Sequence, residues 1–385
     1  MWKMPFRTTS KLSMLLVVLA VSVLTLSFLN FLVGSYHVHL LSKGFGSTPL
    51  LSSSEVSMAR RSSVTERPPL ESLVQGWNVT GDISFLLDFA VVGFPKCGTS
   101  SLMYQLKNHS QVDIFTDERC DMAYNKQVLL AKDLYKMNPT HFRGLKCPMD
   151  IESTPLGLPN YHKYFPHTKF IVGIRHPVLW FESFYNFRVH NGFALPPPSE
   201  MMGRCRKNMK NVCTFRGNFH VFLANLGKTQ VRQHPYEMKW FEKSAQRSVK
   251  PLNDTNVNRQ VFLYEVSQLS DPKTSRSNQF LADLQHFLGL PKPFPNPMIW
   301  FRPGKQHTSE EQTIKAKSLQ INICDKQHSA VRDLLQAQAV NASEWIGHYF
   351  LRAPGVTVSS PQYFLDTILA KWKKDPCTER NKRGR

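Results

Sequence analysis

The residues whose types and spacing best suit chemistry lie in one short stretch, Gly93–Leu102, with the sequence Gly-Phe-Pro-Lys-Cys-Gly-Thr-Ser-Ser-Leu. It follows the apolar run Ile83–Val92, so the order of residues predicts a buried strand, a glycine-bearing turn and the start of a helix. Backbone N–H groups at the start of a helix point toward anions. We therefore expect this stretch to bind a phosphate-like group, with Lys96 supplying a positive charge inside the turn.

The same stretch differs from a Walker A loop in a way that bears on its ligand. A Walker A loop ends in Gly-Lys-Ser/Thr, where the lysine contacts the β- and γ-phosphates and the hydroxyl binds magnesium. Here Gly98 is followed directly by Thr99 and Ser100, and the cation lies earlier, at Lys96. The pattern predicts a phosphate site that is not arranged for a magnesium-bound triphosphate, which disfavours a kinase.

A second anion site is predicted where another apolar run, Lys169–Ile174, ends in Arg175. An arginine at a strand end can bind a phosphate through two N–H groups. Pro177 suits the first turn of a helix, and Ser183 lies about two turns along it and can add a hydroxyl. An isolated Arg175 would be read as a surface ion pair, but the phosphate-type turn upstream favours a second phosphate contact.

These two motifs resemble a known family. The stretch Pro95–Ser100 resembles the 5′-phosphosulfate loop of sulfotransferases, and Arg175 with Ser183 resembles their 3′-phosphate site. The spacing of the two motifs is similar to that in Golgi carbohydrate sulfotransferases, especially the heparan sulfate N- and 3-O-sulfotransferase type. The resemblance spans roughly Phe89 to Phe350 and is weaker outside the two motifs.

The resemblance implies a donor, 3′-phosphoadenosine 5′-phosphosulfate, and no metal. It implies contacts to the 5′-phosphosulfate from Lys96, Cys97, Gly98, Thr99, Ser100 and Ser101, and to the 3′-phosphate from Arg175 and Ser183. Lys326 lies where the family has a Lys-Gly-Arg donor loop and is a further implied contact. Arg216–Asn218 is a candidate lining of the same cleft, with ordinary surface as the alternative.

The acceptor needs a base within hydrogen-bond reach. Heparan-type enzymes have a catalytic glutamate at a place that matches Glu118, so the resemblance implies Lys96 and Glu118 as the catalytic pair. Asp117 and Asp121 are close rivals, and His109 is a weaker one.

One segment departs from the family pattern. Heparan-type enzymes carry Glu-Lys-Thr/Ser-Pro/Ala after the glutamate, and that lysine is catalytic. This chain reads Glu-Ser-Thr-Pro at the corresponding place, with Ser153 where the lysine is expected. Lys146 can approach the same space from upstream, but the pattern alone does not select it.

The elements that would position these residues alternate along the chain. Apolar runs at Phe89–Val92, Lys169–Ile174 and Val261–Tyr264 predict strands, and amphipathic patterns between and after them predict helices. A helix is expected over Ser277–Leu288, stopped by Gly289, and a later short helix is expected to be capped by Ser343. The sequence predicts an α/β fold with a P-loop-like parallel sheet flanked by helices, which the resemblance makes a sulfotransferase fold.

The N-terminus predicts a membrane anchor. The segment Ser13–Tyr36 has no charged residue, its core is about long enough to span a bilayer, and basic residues precede it. An unusually long cleaved signal peptide is the alternative. We expect a single-pass type II protein of the Golgi membrane, with a cytoplasmic tail (1–12), the anchor (13–35), a stem (36–82), a lumenal sulfotransferase domain (83–352) and a basic tail (353–385).

The chain of 385 residues carries a formal charge of +20, which attracts polyanions. Together with the lumenal placement, this predicts an acidic polysaccharide acceptor and no nucleic acid. Four glycosylation sequons begin at Asn78, Asn108, Asn253 and Asn341. The seven cysteines leave at least one unpaired, and Cys205 and Cys213, which enclose a basic loop, are a candidate bridge.

Alternative functions stay open at this point. A tyrosylprotein sulfotransferase would share the donor site, and the heparan-like segment at Glu118 favours a glycan acceptor instead. A degenerate, polyanion-binding relative is supported by Ser153 in place of the family lysine.

Overall fold

The computed structural model describes residues 67–152, 156–227, 260–298 and 318–383. The predicted tail and anchor, most of the predicted stem and the Ser153–Pro155 segment lie outside these residues. Within the described ranges, none of the helices combines the length and the apolar character that crossing a membrane requires.

A six-stranded parallel sheet forms the centre of the fold, in the order β4-β5-β3-β6-β7-β8, and a short antiparallel pair, β1-β2, precedes it. The strands are β1 Val74–Gln75, β2 Asn78–Val79, β3 Phe89–Gly93, β4 Val112–Ile114, β5 Phe142–Lys146, β6 Lys169–Ile174, β7 Val261–Glu265 and β8 Val356–Val358. The three predicted strands are confirmed as the neighbours β3, β6 and β7. Because all six strands run in one direction, their carboxyl ends share one edge of the sheet, where ligands of α/β proteins bind.

The helices cover the sheet on both faces. They are α1 Leu70–Leu73, α2 Thr99–Lys107, α3 Gln127–Lys136, α4 Gly157–Tyr164, α5 Pro177–His190, α6 Phe219–Leu223, α7 Thr274–Leu288, α8 Ser329–His348, α9 Pro361–Tyr363 and α10 Pro376–Arg383. Successive side chains of β3 enter two separate apolar clusters: Phe89 and Val91 join one with α2 and α7, and Ala90 and Val92 join the other with α3, α5 and α8. This period of two places β3 in the middle layer of the fold.

Close packing around β3 depends on a glycine in β5. A Cβ at Gly144 would lie 2.2 Å from Cζ of Phe89, so only glycine lets the ring lie against the neighbouring strand. The strand β5 is buried along its length although it contains Arg143 and Lys146. These polar residues explain why an apolar-run criterion does not find this strand.

Two helix predictions have different outcomes. The helix over Ser277–Leu288 is confirmed as α7, and Gly289 ends it with a left-handed φ of 77°. The short helix capped by Ser343 is wrong: Ser343 lies inside the long helix α8, where its Oγ donates to the Val340 carbonyl at 2.8 Å. A serine hydroxyl bonded to the preceding turn is compatible with a helix interior, so the residue type did not mark a boundary.

Residues on both sides of the predicted 83–352 domain also pack in the described fold. On the amino side, Leu73 is buried and the Arg67 Nη1 donates to the Tyr135 carbonyl at 2.9 Å. On the carboxyl side, β8 pairs with β7, and Trp372 and Cys377 are buried. The strand β8, Trp372 and Cys377 therefore contribute to the core.

Three disulfides cross-link the fold: Cys120–Cys147, Cys205–Cys213 and Cys324–Cys377. The predicted Cys205–Cys213 bridge is confirmed. The unpaired cysteine required by the odd count is Cys97, which is buried. Cys120, Cys147 and Asp150 also lie close enough together to resemble a metal site, but the two sulfurs are bonded to each other.

Candidate functional site

The predicted anion-binding stretch is a tight turn between β3 and α2; we call Pro95–Ser101 the anion loop. Two of its residues have left-handed backbone conformations, Lys96 with φ 66° and Gly98 with φ 78°. A Cβ at Gly98 would lie 2.5 Å from Cδ1 of Leu269, so glycine is required there by both conformation and space. A lysine with positive φ is strained, and such strain is concentrated at functional sites.

Hydrogen bonds join the backbone of the anion loop, and of Phe94 just before it, to β6, Arg175 and α5. The Phe94 N–H donates to the Gly173 carbonyl at 2.9 Å, and Trp180 Nε1 donates to the Pro95 carbonyl at 2.9 Å. Arg175 Nη1 donates to the Lys96 carbonyl at 3.3 Å. These bonds fix the loop just before α2.

The first turn of α2 supplies the amide groups of the predicted anion site. The helix begins at Thr99, and its N-cap is Gly98, which has no side chain to satisfy those amides. Thr99 and Ser101 are buried. Cys97 is fully buried, with Sγ 3.8 Å from the Pro95 carbonyl, and burial raises the pKa of its thiol well above the usual value. Cys97 can therefore contribute only its backbone to a ligand.

Lys96 lies in an electropositive environment. Its Nζ is 3.9 Å from the centre of the Phe187 ring on α5. Burial lowers the pKa of Lys96 to about 8, and the charge of Arg175 and, more weakly, that of Arg188 act in the same direction. Cys97 and Glu118 oppose this shift without cancelling it. Crowding of cations around Lys96 is what an anion-binding site requires.

Lys146 lies at the centre of the site. This lysine ends β5 next to β3, and its side chain is only 5% exposed. Its Nζ donates to Ser100 Oγ at 3.1 Å and lies 3.2 Å from Glu118 Oε1. The structure therefore brings together the helix start, a lysine and the candidate base.

Of the acids and bases considered for the acceptor, Glu118 has the most suitable position. Its side chain is 56% exposed and meets Lys146 at the anion loop. Asp121 is buried and paired with Arg119 at 2.9 Å, and His109 is buried between the Lys292 carbonyl at 2.8 Å and the Gln111 N–H at 3.1 Å. Asp117 is exposed. Asp121 and His109 are thus occupied by structural contacts.

A disulfide and a backbone bond hold the Glu118 segment in place. Cys120 is bonded to Cys147, the residue that follows Lys146, and the Arg119 N–H donates to the Lys146 carbonyl at 2.9 Å. The segment containing Glu118 is therefore joined to the end of β5 at two adjacent points.

Arg175 follows β6, as predicted, and lies beside the anion loop. Its Nε is buried and has no hydrogen-bond acceptor among the described residues. Burial lowers the pKa of Arg175, whereas Cys97, Glu265 and Glu182 raise it. Ser183 is partly buried on α5, whose first residue is Pro177. A buried guanidinium N–H without an acceptor indicates a group that a ligand can satisfy.

The carboxyl-terminal residues cover this part of α5. Arg380 on α10 pairs with Glu182 through two contacts of 3.0 Å. Asn186 exchanges two hydrogen bonds with the backbone of Ile321, at 2.8 and 2.9 Å. Lys326, a few residues further along, is exposed, and no contact between its side chain and the anion loop is present in the described part of the chain.

Arg216 is a structural residue rather than a free lining of the cleft. It is buried and makes a two-pronged ion pair with Glu152, with Nε donating to Oε1 at 2.9 Å. Glu152 directly precedes Ser153, which lies outside the described residues. Glu152, in the segment that departs from the family pattern, is therefore held in place by Arg216.

Comparison with known proteins gives limited information. No family model and no curated protein matches this chain. Among solved structures, a sulfotransferase from Alicyclobacillus acidocaldarius is similar, with 17% sequence identity and a TM-score of 0.34, covering 65% of this chain and 94% of that one. The function is therefore inferred from the residues of the site itself.

Proposed function

We propose that this chain is a sulfotransferase that moves a sulfuryl group from 3′-phosphoadenosine 5′-phosphosulfate to a hydroxyl or amine of a carbohydrate. The observation that carries the proposal is the position of Lys146, between Ser100 of the anion loop and the Glu118 carboxylate. One cation there adjoins both the predicted phosphosulfate site and the candidate base.

The donor fits the charges of the site. The first-turn amides of α2, Lys96 and Lys146 provide positive charge for the 5′-phosphosulfate. Arg175, whose buried Nε has no acceptor in the part of the chain that the structure describes, fits the 3′-phosphate, and Ser183 can add a hydroxyl. A nucleotide with anionic groups at both ends matches these two positive regions better than a triphosphate, whose charge lies at one end.

The reaction requires a base and a stabilised leaving group, and these residues can provide both. The bond between sulfur and the bridging oxygen of the donor breaks, and a bond forms from sulfur to the acceptor oxygen or nitrogen. Glu118 accepts the proton that the acceptor loses. Lys96 and Lys146 stabilise the negative charge that develops on the leaving phosphate, as cations do in phosphoryl transfer.

Lys146 can replace the catalytic lysine that is missing at Ser153. The family pattern places a catalytic lysine in the segment after Glu152, where this chain has serine. Lys146 provides an ammonium group at the anion loop from a different strand end, at 3.1 Å from Ser100 Oγ. The missing lysine therefore does not require a degenerate enzyme.

The proposed setting is the Golgi lumen, with a single N-terminal anchor. Three disulfides favour an oxidising compartment. The sequon residues Asn78, Asn108 and Asn341 are exposed, as glycosylation requires. The charge of +20 suits an acidic polysaccharide as the acceptor.

The test is transfer of labelled sulfate from the donor to a panel of glycans by the purified lumenal region, with a tyrosine-containing acidic peptide as a further acceptor. We expect label on at least one glycan and loss of that label in Lys146→Ala. Label on the peptide alone would identify a tyrosylprotein sulfotransferase. Donor binding without transfer to any acceptor would contradict the proposed activity.

A further inference from the structure

A row of cations and phenylalanines runs from the anion loop to the basic loop closed by Cys205–Cys213. Lys96 Nζ lies 3.9 Å from the centre of the Phe187 ring, and the Arg188 guanidinium carbon lies 5.9 Å from the same ring. Arg188 is also 5.6 Å from the Phe193 ring, and Lys210 Nζ is 5.5 Å from that ring on the basic-loop side. We call these five residues the cation stripe.

The stripe is continuous with the catalytic residues. Glu118 Oε1 lies 3.2 Å from Lys146 Nζ, which donates to Ser100 Oγ of the anion loop at 3.1 Å, so the Glu118 carboxylate lies near the inner end of the stripe. Arg188 Nε is buried and has no hydrogen-bond acceptor in the described ranges. The rings fix the positions of the cations, and a cation held against an aromatic face keeps N–H groups available for anions.

The outer end of the stripe is a well-supported basic loop. Cys205 and Cys213 close it, and the side chains of Met209 and Val212 are buried beneath it. The Gly203 N–H donates to Thr214 Oγ1 at 2.8 Å across the base of the loop. A loop fixed in this way presents its cations in defined positions.

The charged side chains that are exposed in the basic loop, and Arg204 directly before it, are all positive. The exposed cations are Arg204, Arg206, Lys207 and Lys210. The nearest acid in the sequence is Glu200, which is exposed, and Arg206 Nη2 donates to the backbone carbonyl of that residue at 2.7 Å. Within the described residues, none of these four cations forms an ion pair with a carboxylate, so their charge is available to a partner.

We propose that the cation stripe and the basic loop bind the acidic acceptor polysaccharide and lead it to Glu118. This inference rests on the proposed function, because only a sulfotransferase would need the glycan to reach Glu118. A row of separated cations suits a chain that carries an anionic group on successive sugars. A single small ligand would contact only one or two of these cations.

The experiment measures binding of this protein to heparin and chondroitin sulfate fragments of defined length, without donor. One variant removes three loop charges, Arg204→Gln, Arg206→Gln and Lys207→Gln. A matched control removes three charges from another exposed basic segment, Lys371→Gln, Lys373→Gln and Lys374→Gln. Circular dichroism and thermal unfolding establish that both variants fold.

We expect the loop variant to lose about tenfold or more in affinity and to show a shallower dependence of affinity on salt concentration, because fewer counterions are displaced. The control should change by about twofold or less. Equal losses in the two variants, or no loss in the loop variant, would overturn the proposal. Tighter binding of a single-stranded oligonucleotide or an acidic peptide than of either glycan would also overturn it.

A kinetic measurement separates this inference from the proposed function. With a glycan that accepts sulfate, the loop variant should raise KM about tenfold and leave kcat unchanged, since its residues do not touch the reacting atoms. An unchanged KM would contradict the acceptor role while leaving the sulfotransferase proposal intact. Glycan binding that depends on the loop, without any sulfate transfer, would support the glycan-binding role and contradict the sulfotransferase proposal.

Discussion

The two ends of the candidate site are built differently. At the ends of β3 and β5, Lys146 is engaged within the protein, with Ser100 Oγ and Glu118 Oε1 both within 3.2 Å of its Nζ. At the end of β6, Arg175 Nε is buried with no acceptor among the described residues. The first end is organised by contacts within the protein, whereas the second has a buried N–H group that a ligand could satisfy. Under the proposed function, we therefore expect chemistry to depend on the first end and donor affinity on the second.

The largest effect is expected at Lys96, which contributes both to donor binding and to chemistry. Lys96→Ala should lower transfer by about 10³-fold or more, because it removes a cation from the leaving-group side of the anion loop. Steady-state transfer of labelled sulfate measures this, with Lys107→Ala, an exposed lysine at the end of α2, as the control. Full activity in Lys96→Ala would remove this residue from the mechanism.

Variants of the preorganised end should mainly slow chemistry. Glu118→Gln and Lys146→Met should each lower kcat by about 10²- to 10³-fold, within the usual range for general bases and charge-stabilising groups. The affinity for adenosine 3′,5′-bisphosphate, measured by calorimetry, should change by about threefold or less in Glu118→Gln. Asp117→Asn, a neighbouring exposed acid, should keep wild-type kcat. A wild-type rate in Glu118→Gln would move the base elsewhere.

The ligand-completed end should show the reverse behaviour. Arg175→Ala should weaken binding of adenosine 3′,5′-bisphosphate by about 1–3 kcal/mol, as for hydrogen bonds to charged groups. Adenosine 5′-monophosphate, which lacks the 3′-phosphate, serves as the matched ligand and should lose much less affinity. Equal losses for the two nucleotides would mean that Arg175 supports the anion loop through the Lys96 carbonyl rather than contacting a 3′-phosphate.

Two of the disulfides should have different effects on kcat. Replacing Cys120 and Cys147 by serine should lower kcat by about tenfold and leave nucleotide affinity nearly unchanged, because the bond joins the Glu118 segment to the end of β5. Replacing Cys205 and Cys213 should leave kcat intact with a small saturating acceptor. Calorimetry with adenosine 3′,5′-bisphosphate verifies that both variants fold. Equal kcat values in the two variants would show that the first bond has no positioning role.

The kcat/KM for the donor is also expected to depend on pH. With a pKa of about 8, Lys96 is protonated below that pH and loses its charge as the pH rises through it. Donor kcat/KM should therefore fall by up to about tenfold per unit above pH 8. Lys96→Arg, which keeps its charge, should move any such fall to higher pH. A flat profile up to about pH 10 in the wild type would contradict the assignment.

Much of the fold could be predicted because its central strands are apolar. The strands β3, β6 and β7 are continuous buried runs, and the turn residues after β3 have types that specify backbone geometry. Short strands with polar residues were missed, such as β4 with Asp113 and β8 with Thr357. Their stability comes from pairing with neighbours that are distant in sequence, which a local pattern does not contain.

The site was partly predictable for the same reason. Lys96 and Arg175 follow recognisable strands, so their positions at one edge of the sheet could be expected. Lys146 ends a buried strand whose apolar run is interrupted by Arg143 and Gly144, and its contact with Ser100 spans 46 residues. Only the parallel pairing of β3 with β5 brings this lysine to the anion loop.

The most direct test of a site for a nucleotide with two anionic ends is the thermal unfolding of this protein with three ligands in turn: adenosine 3′,5′-bisphosphate, adenosine 5′-monophosphate and ATP with magnesium. A ligand that binds the folded state raises Tm in proportion to its affinity. We predict a clear rise with the bisphosphate, a smaller one with the monophosphate and little or none with ATP and magnesium. A larger rise with ATP and magnesium, or no rise with the bisphosphate, would contradict the proposed donor site.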